Sequence, residues 1–117
     1  MVPTAWLLTL ARTNRIFFGS GENYSSPVDD NSDAVFAVDA RTGKRLWHTQ
    51  LAKRDAWNVG CMIGNNSCPE ENGPDYDVAA SPLLIDTGPT TRMLVVGQKS
   101  GQAWGIDPDT GKIRWET

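Results

Sequence analysis

The sequence predicts an all-β repeat protein, and three observations carry that prediction. The stretch Ala37-Val-Asp-Ala-Arg-Thr-Gly-Lys-Arg-Leu-Trp47 recurs as Gly105-Ile-Asp-Pro-Asp-Thr-Gly-Lys-Ile-Arg-Trp115. Asp39, Thr42, Gly43, Lys44 and Trp47 meet Asp107, Thr110, Gly111, Lys112 and Trp115 at one constant offset (39 to 107, 47 to 115). Self-similarity at a fixed period marks repeat architectures such as propellers. The second observation is that strand-length apolar runs, bounded by turn residues, fill both halves of the chain, with no helical periodicity in them. The third is compositional: the apolar residues lie in short runs rich in Trp and Gly, as in all-β repeat proteins.

Taken in order, Ala5 to Leu10 is the first strand, followed by a polar turn from Arg12 to Arg15. Ile16 to Phe18 is the second and is ended by Gly19-Ser-Gly21. A polar loop through Asp33 leads to Ala34–Val38, the repeated turn, and Arg45–Gln50. In that turn the Asp39 side chain can fold back on the backbone, and Gly43 supplies the positive φ that other residues avoid. Trp47 and Trp115 leave their turns as large flat rings suited to closing the gap to a neighbouring sheet. The second set of strands is Pro82–Ile85, Met93–Val96, Ala103–Ile106 and Ile113–Glu116. The expected organisation is a partial propeller over 1–117: one four-stranded antiparallel blade over 5–50, an insertion loop over 51–80, and a second blade over 81–117. Loops of that length are usually functional or disordered; this one holds both cysteines, which favours order.

At 117 residues two blades fit, whereas a closed propeller needs at least four. The chain is therefore expected to be a piece of a longer protein or a truncated reading frame. A net charge of −3 provides no basic patch for nucleic acid or an anionic membrane. No run approaches the ~20 apolar residues of a membrane helix. Met1 to Leu10 has too short an apolar core, and no basic lead-in, for a signal peptide, so any export signal is expected upstream. Cys61 and Cys68 have no second cysteine pair and no nearby His to make a zinc site. A disulfide between them is therefore expected, worth ~2–3 kcal/mol, and it implies an oxidising compartment; two reduced buried thiols are the alternative.

The repeat, Ala-x-Asp-x-x-Thr-Gly-x-x-x-Trp, resembles the blade motif of the quinoprotein β-propellers. From Ile16 onward the chain resembles the pyrroloquinoline quinone (PQQ)-dependent alcohol dehydrogenases, especially the polyvinyl-alcohol dehydrogenase-like members. Residue by residue, the resemblance implies a site. Gly19-Ser-Gly21-Glu22-Asn23 reads by spacing as a glycine-rich turn, and no helix or third glycine follows to make it a dinucleotide fingerprint. In the family, a strand ending in Gly-Thr-Gly-Asn gives a side-chain oxygen to a calcium ion, so Glu22 or Asn23 is the implied metal ligand. Asp75-Tyr-Asp77 is ordinary turn chemistry by itself but resembles the family's Asp-x-Trp-Asp segment. That likeness makes Asp77 the implied catalytic base beside calcium and quinone, with Asp75 its structural companion. Asp55-Ala-Trp57-Asn58 also resembles that segment, but it ends in Asn, which cannot act as a base. Lys99, by itself a hairpin-turn lysine, falls where the family places the cation that holds the ortho-quinone oxygens.

Other acidic stretches carry less. Asp29-Asp-Asn-Ser-Asp33 lacks the Gly and Glu of an EF-hand loop, and with Asp107-Pro-Asp it is read as solvated loop. His48 has no metal-spaced partner and reads as a structural residue at a strand edge. The resemblance thus implies part of a dehydrogenase oxidising an alcohol, polymeric or secondary among the options, with PQQ and calcium, in the periplasm or outside the cell. It further implies the remaining propeller blades as partners, cytochrome c as electron acceptor, and no activity in the piece alone. The rival reading is a non-enzymatic propeller scaffold for protein–protein interaction. A third, a sugar- or polymer-binding module, would use exposed Trp57 or Trp104.

Overall fold

The computed structural model describes the backbone of residues 3–6 and all of residues 14–117. Strands β1 (Pro3–Trp6), β2 (Arg15–Ser20), β3 (Ala34–Asp39) and β4 (Arg45–Gln50) form one sheet in that order. Strands β5 (Leu83–Asp86), β6 (Arg92–Gly97), β7 (Ala103–Ile106) and β8 (Ile113–Glu116) form a second. Both are antiparallel meanders of sequential neighbours. Of the expected first strand, Ala5 and Trp6 are strand, and the part beyond Trp6 falls outside the described residues.

The repeat dictates the turns atom by atom. Asp39 Oδ1 accepts the N–H groups of Arg41 and Thr42, and Asp107 Oδ1 accepts those of Asp109 and Thr110. Gly43 (φ 71°) and Gly111 (φ 75°) each donate N–H to the Asp carbonyl four residues back. The register slips at Ala37/Val38 in the first sheet and at the equivalent Gly105/Ile106 in the second, so the bulge is repeated too. Such an irregularity raises local twist and re-aims the following side chains.

The two sheets meet through this repeat. Trp47 Nε1–H donates to the Pro108 carbonyl (3.1 Å), and the Thr49 hydroxyl donates to the Gly111 carbonyl (2.5 Å). Arg15 donates to the same Pro108 carbonyl and forms an ion pair with Asp109. A Cβ on Gly111 would stand 2.6 Å from Trp47 Cε3, so the ring can lie on this turn only because position 111 is glycine. Phe17, Val35, Ala37 and Val78 are buried with Leu94, Val96, Trp104 and Ile106 in one core, and Trp47, Leu51 and Leu84 pack against it. Elsewhere on the first sheet Phe18, Phe36 and His48 stack in a row, with His48 Nε2 3.3 Å from Asp30. His48 therefore has neighbours suited to packing.

Trp115, the counterpart of Trp47, covers Gly105 of its own sheet yet remains 41% exposed, as do Leu83, Ile85 and Ile113 to similar or greater degrees. Between the sheets the chain forms a loop that also contains a one-turn helix, α1 (Val59–Ile63), which no periodicity announced. Asn58 caps its start through Gly60 N–H, and Gly64 (φ 64°) ends it. Cys61 and Cys68 are joined by a disulfide across this turn.

Candidate functional site

The site forms where three chain segments converge behind the ends of β2 and β6. Strand β2 ends at Ser20, whose carbonyl accepts Val78 N–H (3.1 Å) and draws the 75–78 segment alongside. A Cβ on Gly19 would lie 2.6 Å from the Val78 carbonyl oxygen, so this close approach requires glycine there. Beyond β2, Glu22 N–H donates to Asp77 Oδ1 (2.9 Å). On the other side, Lys99 N–H donates to the Asp77 carbonyl (2.9 Å), which sets the β6–β7 turn against the same segment.

The result is a cluster of Glu22, Asp75 and Asp77, each offering one carboxylate oxygen within 4.8 Å of the others. Lys99 Nζ forms an ion pair with Asp75 and stands 3.8 Å from Asp77 Oδ2. Glu22 is buried while Lys99 is half exposed. Burial, and then its hydrogen bond to Asp77, push the Glu22 carboxyl up from 4.5 to about 7. The Asp75 contact raises the Lys99 ammonium above its ordinary value, so this group keeps its charge.

Three of the residues expected at a site are thus together: Glu22, Asp77 and Lys99. Asn23, the alternative ligand, is not with them. Its Oδ1 accepts Asp29 N–H (3.0 Å), and its backbone bridges to Ala56. Asp75, read as a structural companion, is a full member of the cluster and the nearest partner of Lys99. The Asp-x-Asp spacing was the available signal, and Asp75, at φ 62°, brings its carboxylate to the same cluster as that of Asp77.

Two further expectations need correction. Asp33 is not a solvated loop residue: it is fully buried, and neither carboxyl oxygen has a hydrogen-bond partner among the described residues. Its N–H and C=O are committed to Gly21 and Leu51, which pulls the side chain inside. Trp104, considered as an exposed binding residue, is 6% exposed and belongs to the core.

Burial and then the nearby charges of Asp55, Asp77, Glu22 and Asp75 raise the Asp33 carboxyl from 3.8 to about 8. The folded chain holds this proton where the unfolded chain would release it. Stability from this group is therefore complete below pH 3.8 and is lost as the pH rises through about 8. Asp33→Asn is expected to flatten that slope: thermal melts at pH 4, 6 and 8 should show a smaller fall in Tm than in the wild type. An equal fall in both proteins would refute the assignment.

A cleft of about 400 Å³ elsewhere on the second sheet, between the Thr87–Met93 turn and Asp107–Asp109, contains none of these site residues. Its Arg114 and Asp107 are paired with each other.

Two four-stranded meanders docked through a Trp-on-turn contact define a pair of β-propeller blades, with a carboxylate cluster in the connecting loops. A family model described as "Outer membrane protein assembly factor BamB", of the PQQ-type repeats, matches residues 31–117, and the chain belongs to that β-propeller family. It is 37% identical over 101 residues to a polyvinylalcohol dehydrogenase from a Pseudomonas species. It is 36% identical over 105 residues to the protein of the same name from Sphingopyxis sp. strain 113P3. Both alignments cover 86% of this chain and 16% of the relative, so the chain spans about one sixth of the curated relatives it matches. Among solved structures, the quinohemoprotein alcohol dehydrogenase of Comamonas testosteroni superposes with a TM-score of 0.66 at 24% identity, over 92% of this chain and 15% of that one. This last likeness supports the propeller fold.

Proposed function

We propose that the chain forms the calcium- and quinone-facing loops of a PQQ-dependent dehydrogenase acting on an alcohol, as two blades of a larger propeller. The observation that carries the reading is the convergence of Glu22, Asp75, Asp77 and Lys99 from three separate segments. The donor set fits calcium: the ligand atoms are hard carboxylate oxygens, and calcium prefers such oxygens from flexible loops. Glu22 is also held as an acid by burial and by Asp77, a tension that a divalent cation relieves. Glu22 and Asp77 would hold the metal, with Asp75 at hand, and other blades would complete its coordination shell.

PQQ, when bound, supplies the two-electron acceptor. The residues of this chain do the rest locally. Asp77 would take the hydroxyl proton of the alcohol as general base. Lys99 would place a fixed positive charge against an electron-rich carbonyl oxygen of the quinone, with ammonium donors to spare beyond the one given to Asp75. Two relatives are named for polyvinyl alcohol, and that polymer or another secondary alcohol is the substrate in this reading. The Cys61–Cys68 disulfide supports a periplasmic or extracellular setting, where cytochrome c would take the electrons. No helix among the described residues is long and apolar enough to cross a membrane. Another blade's Asp-x-x-Thr-Gly turn would cover exposed Trp115, as Gly111 covers Trp47. The scaffold alternative draws on the assembly-factor description of the family; packing sheets together, however, does not require a buried Glu beside two Asp and a Lys.

Calcium-dependent PQQ binding, followed by absorbance and calorimetry on a full-length propeller carrying this sequence, tests the reading. Binding that needs calcium supports it; a propeller that ignores PQQ with calcium present turns the reading over to the scaffold. Calcium binding should also release a proton. Because Glu22 titrates at about 7, affinity is expected to rise with pH through 7, falling about tenfold per pH unit below it if this one group dominates. Titrations at pH 5.5, 6.5 and 7.5 would show it, and pH-independent affinity would remove Glu22 from the ligand set.

A further inference from the structure

Asp55 is fully buried and lies outside the proposed cluster, and both of its carboxylate oxygens are used. Oδ1 accepts Asp75 N–H (2.9 Å), and Oδ2 accepts Tyr76 N–H (2.7 Å). The backbone on either side of it is equally committed. Asn23 N–H donates to the Asp55 carbonyl (3.2 Å), and Trp57 N–H donates to the Asn23 carbonyl (2.8 Å). Gly73 N–H donates to the Ala56 carbonyl (2.9 Å). A Cβ on Gly73 would stand 2.6 Å from Asp55 Cα, so the 73–76 segment is seated directly on this residue. Residues 55–57 thus form a strut with the Glu22 loop on one side and the Asp75–Asp77 loop on the other.

We infer that Asp55 is a positioning residue: its carboxylate clamps the Asp75–Tyr76 backbone and so sets the spacing between Glu22 and the Asp75/Asp77 pair. The clamp has a specific task. Asp75 sits at φ 62°, a left-handed conformation unfavourable for residues with a side chain. Two N–H bonds to a buried, charged acceptor hold the backbone there, and charge-assisted bonds are the strong ones. Asn at position 55 would keep one acceptor oxygen and face the other N–H with its own NH₂ group. The importance of this spacing for a cation rests on the calcium reading above; the positioning itself does not.

The test therefore has a metal-free arm and a calcium arm, on wild type, Asp55→Asn and Asp39→Asn. Asp39 also accepts two backbone N–H groups, both at Oδ1, in a repeat turn outside the cluster, and serves as the control for losing an Asp turn elsewhere in the chain. Amide hydrogen exchange read by NMR is expected to lose tenfold or more protection at Glu22, Asp75 and Tyr76 in Asp55→Asn, with the amides of β3 and β6 unchanged. The Glu22 amide decides, since it is bonded to Asp77 and does not touch Asp55 through any of these bonds. Wild-type protection at Glu22, or a loss shared equally by the strand amides, overturns the inference. If Asp55→Asn is unfolded, Asp55→Glu, with both acceptors one methylene further out, carries the same comparison. In the calcium arm, Asp55→Asn should bind the metal at least tenfold more weakly while Asp39→Asn binds as wild type. Absence of calcium binding in the wild type sinks the metal reading and leaves Asp55 to be decided by exchange alone.

Discussion

Asp77→Asn, in a full-length propeller carrying this sequence, is expected to retain PQQ and lose about 10²–10⁴-fold in kcat, the usual worth of a positioned general base. The substitution is mild in structure, because an amide oxygen can still accept Glu22 N–H where Asp77 Oδ1 does now. What disappears is the group able to take a proton. Asp75→Asn separates the roles of the two carboxylates. Asp75 is the nearest partner of Lys99, so its loss should free that ammonium and change quinone affinity more than kcat. Steady-state kinetics with PQQ titrations on both variants would distinguish them. Wild-type-like kcat in Asp77→Asn would end the role assigned to Asp77, and a collapse confined to Asp75→Asn would move that role to its neighbour.

Trp47→Ala is expected to cost about 3 kcal/mol of folding stability, in the range for emptying a large aromatic from a packed site. The ring contacts Phe17 (centroids 5.9 Å apart), covers Gly111, and donates to Pro108, so it belongs to both sheets at once. Trp47→Phe keeps much of the ring and loses the N–H bond, for about 1 kcal/mol. Gly111→Ala should also destabilise, since its Cβ would enter the ring's place at a φ of 75°. The two sites share one contact, so their costs should not add: in the Trp47→Ala background, Gly111→Ala should retain only its backbone cost. Urea unfolding of the two single variants and the double variant checks this. Additive losses would mean that the ring and the turn do not act together.

The repeat turns were legible in the sequence because their causes are local. Asp39 and Asp107 accept N–H groups two and three residues away, and Gly43 and Gly111 supply positive φ within the same turn. Strand positions were legible for a similar reason, since alternation and bounding turn residues act over a few residues. Glu22, Asp77 and Lys99 could be singled out only through likeness to a family, as each has an ordinary local reading as a turn residue.

Their assembly is a tertiary matter. Glu22 meets Asp77 across 55 residues of chain; Asp55's clamp leaves no local pattern, and the Asp-x-Asp spacing marks Asp75 without showing that Lys99 lies beside it. Asp33 shows the same limit from the other side: a polar run reads as solvated, yet its last two members, Ser32 and Asp33, are buried, with the Asp33 backbone bonded to Gly21 and Leu51. The sequence by itself determined the blades, their turns and the Trp ring that joins them, because short-range backbone chemistry and periodicity suffice for these. Only the tertiary structure decided which carboxylates share a site and which is buried without a hydrogen-bond partner among the described residues, because charge proximity and desolvation depend on segments far apart in the chain.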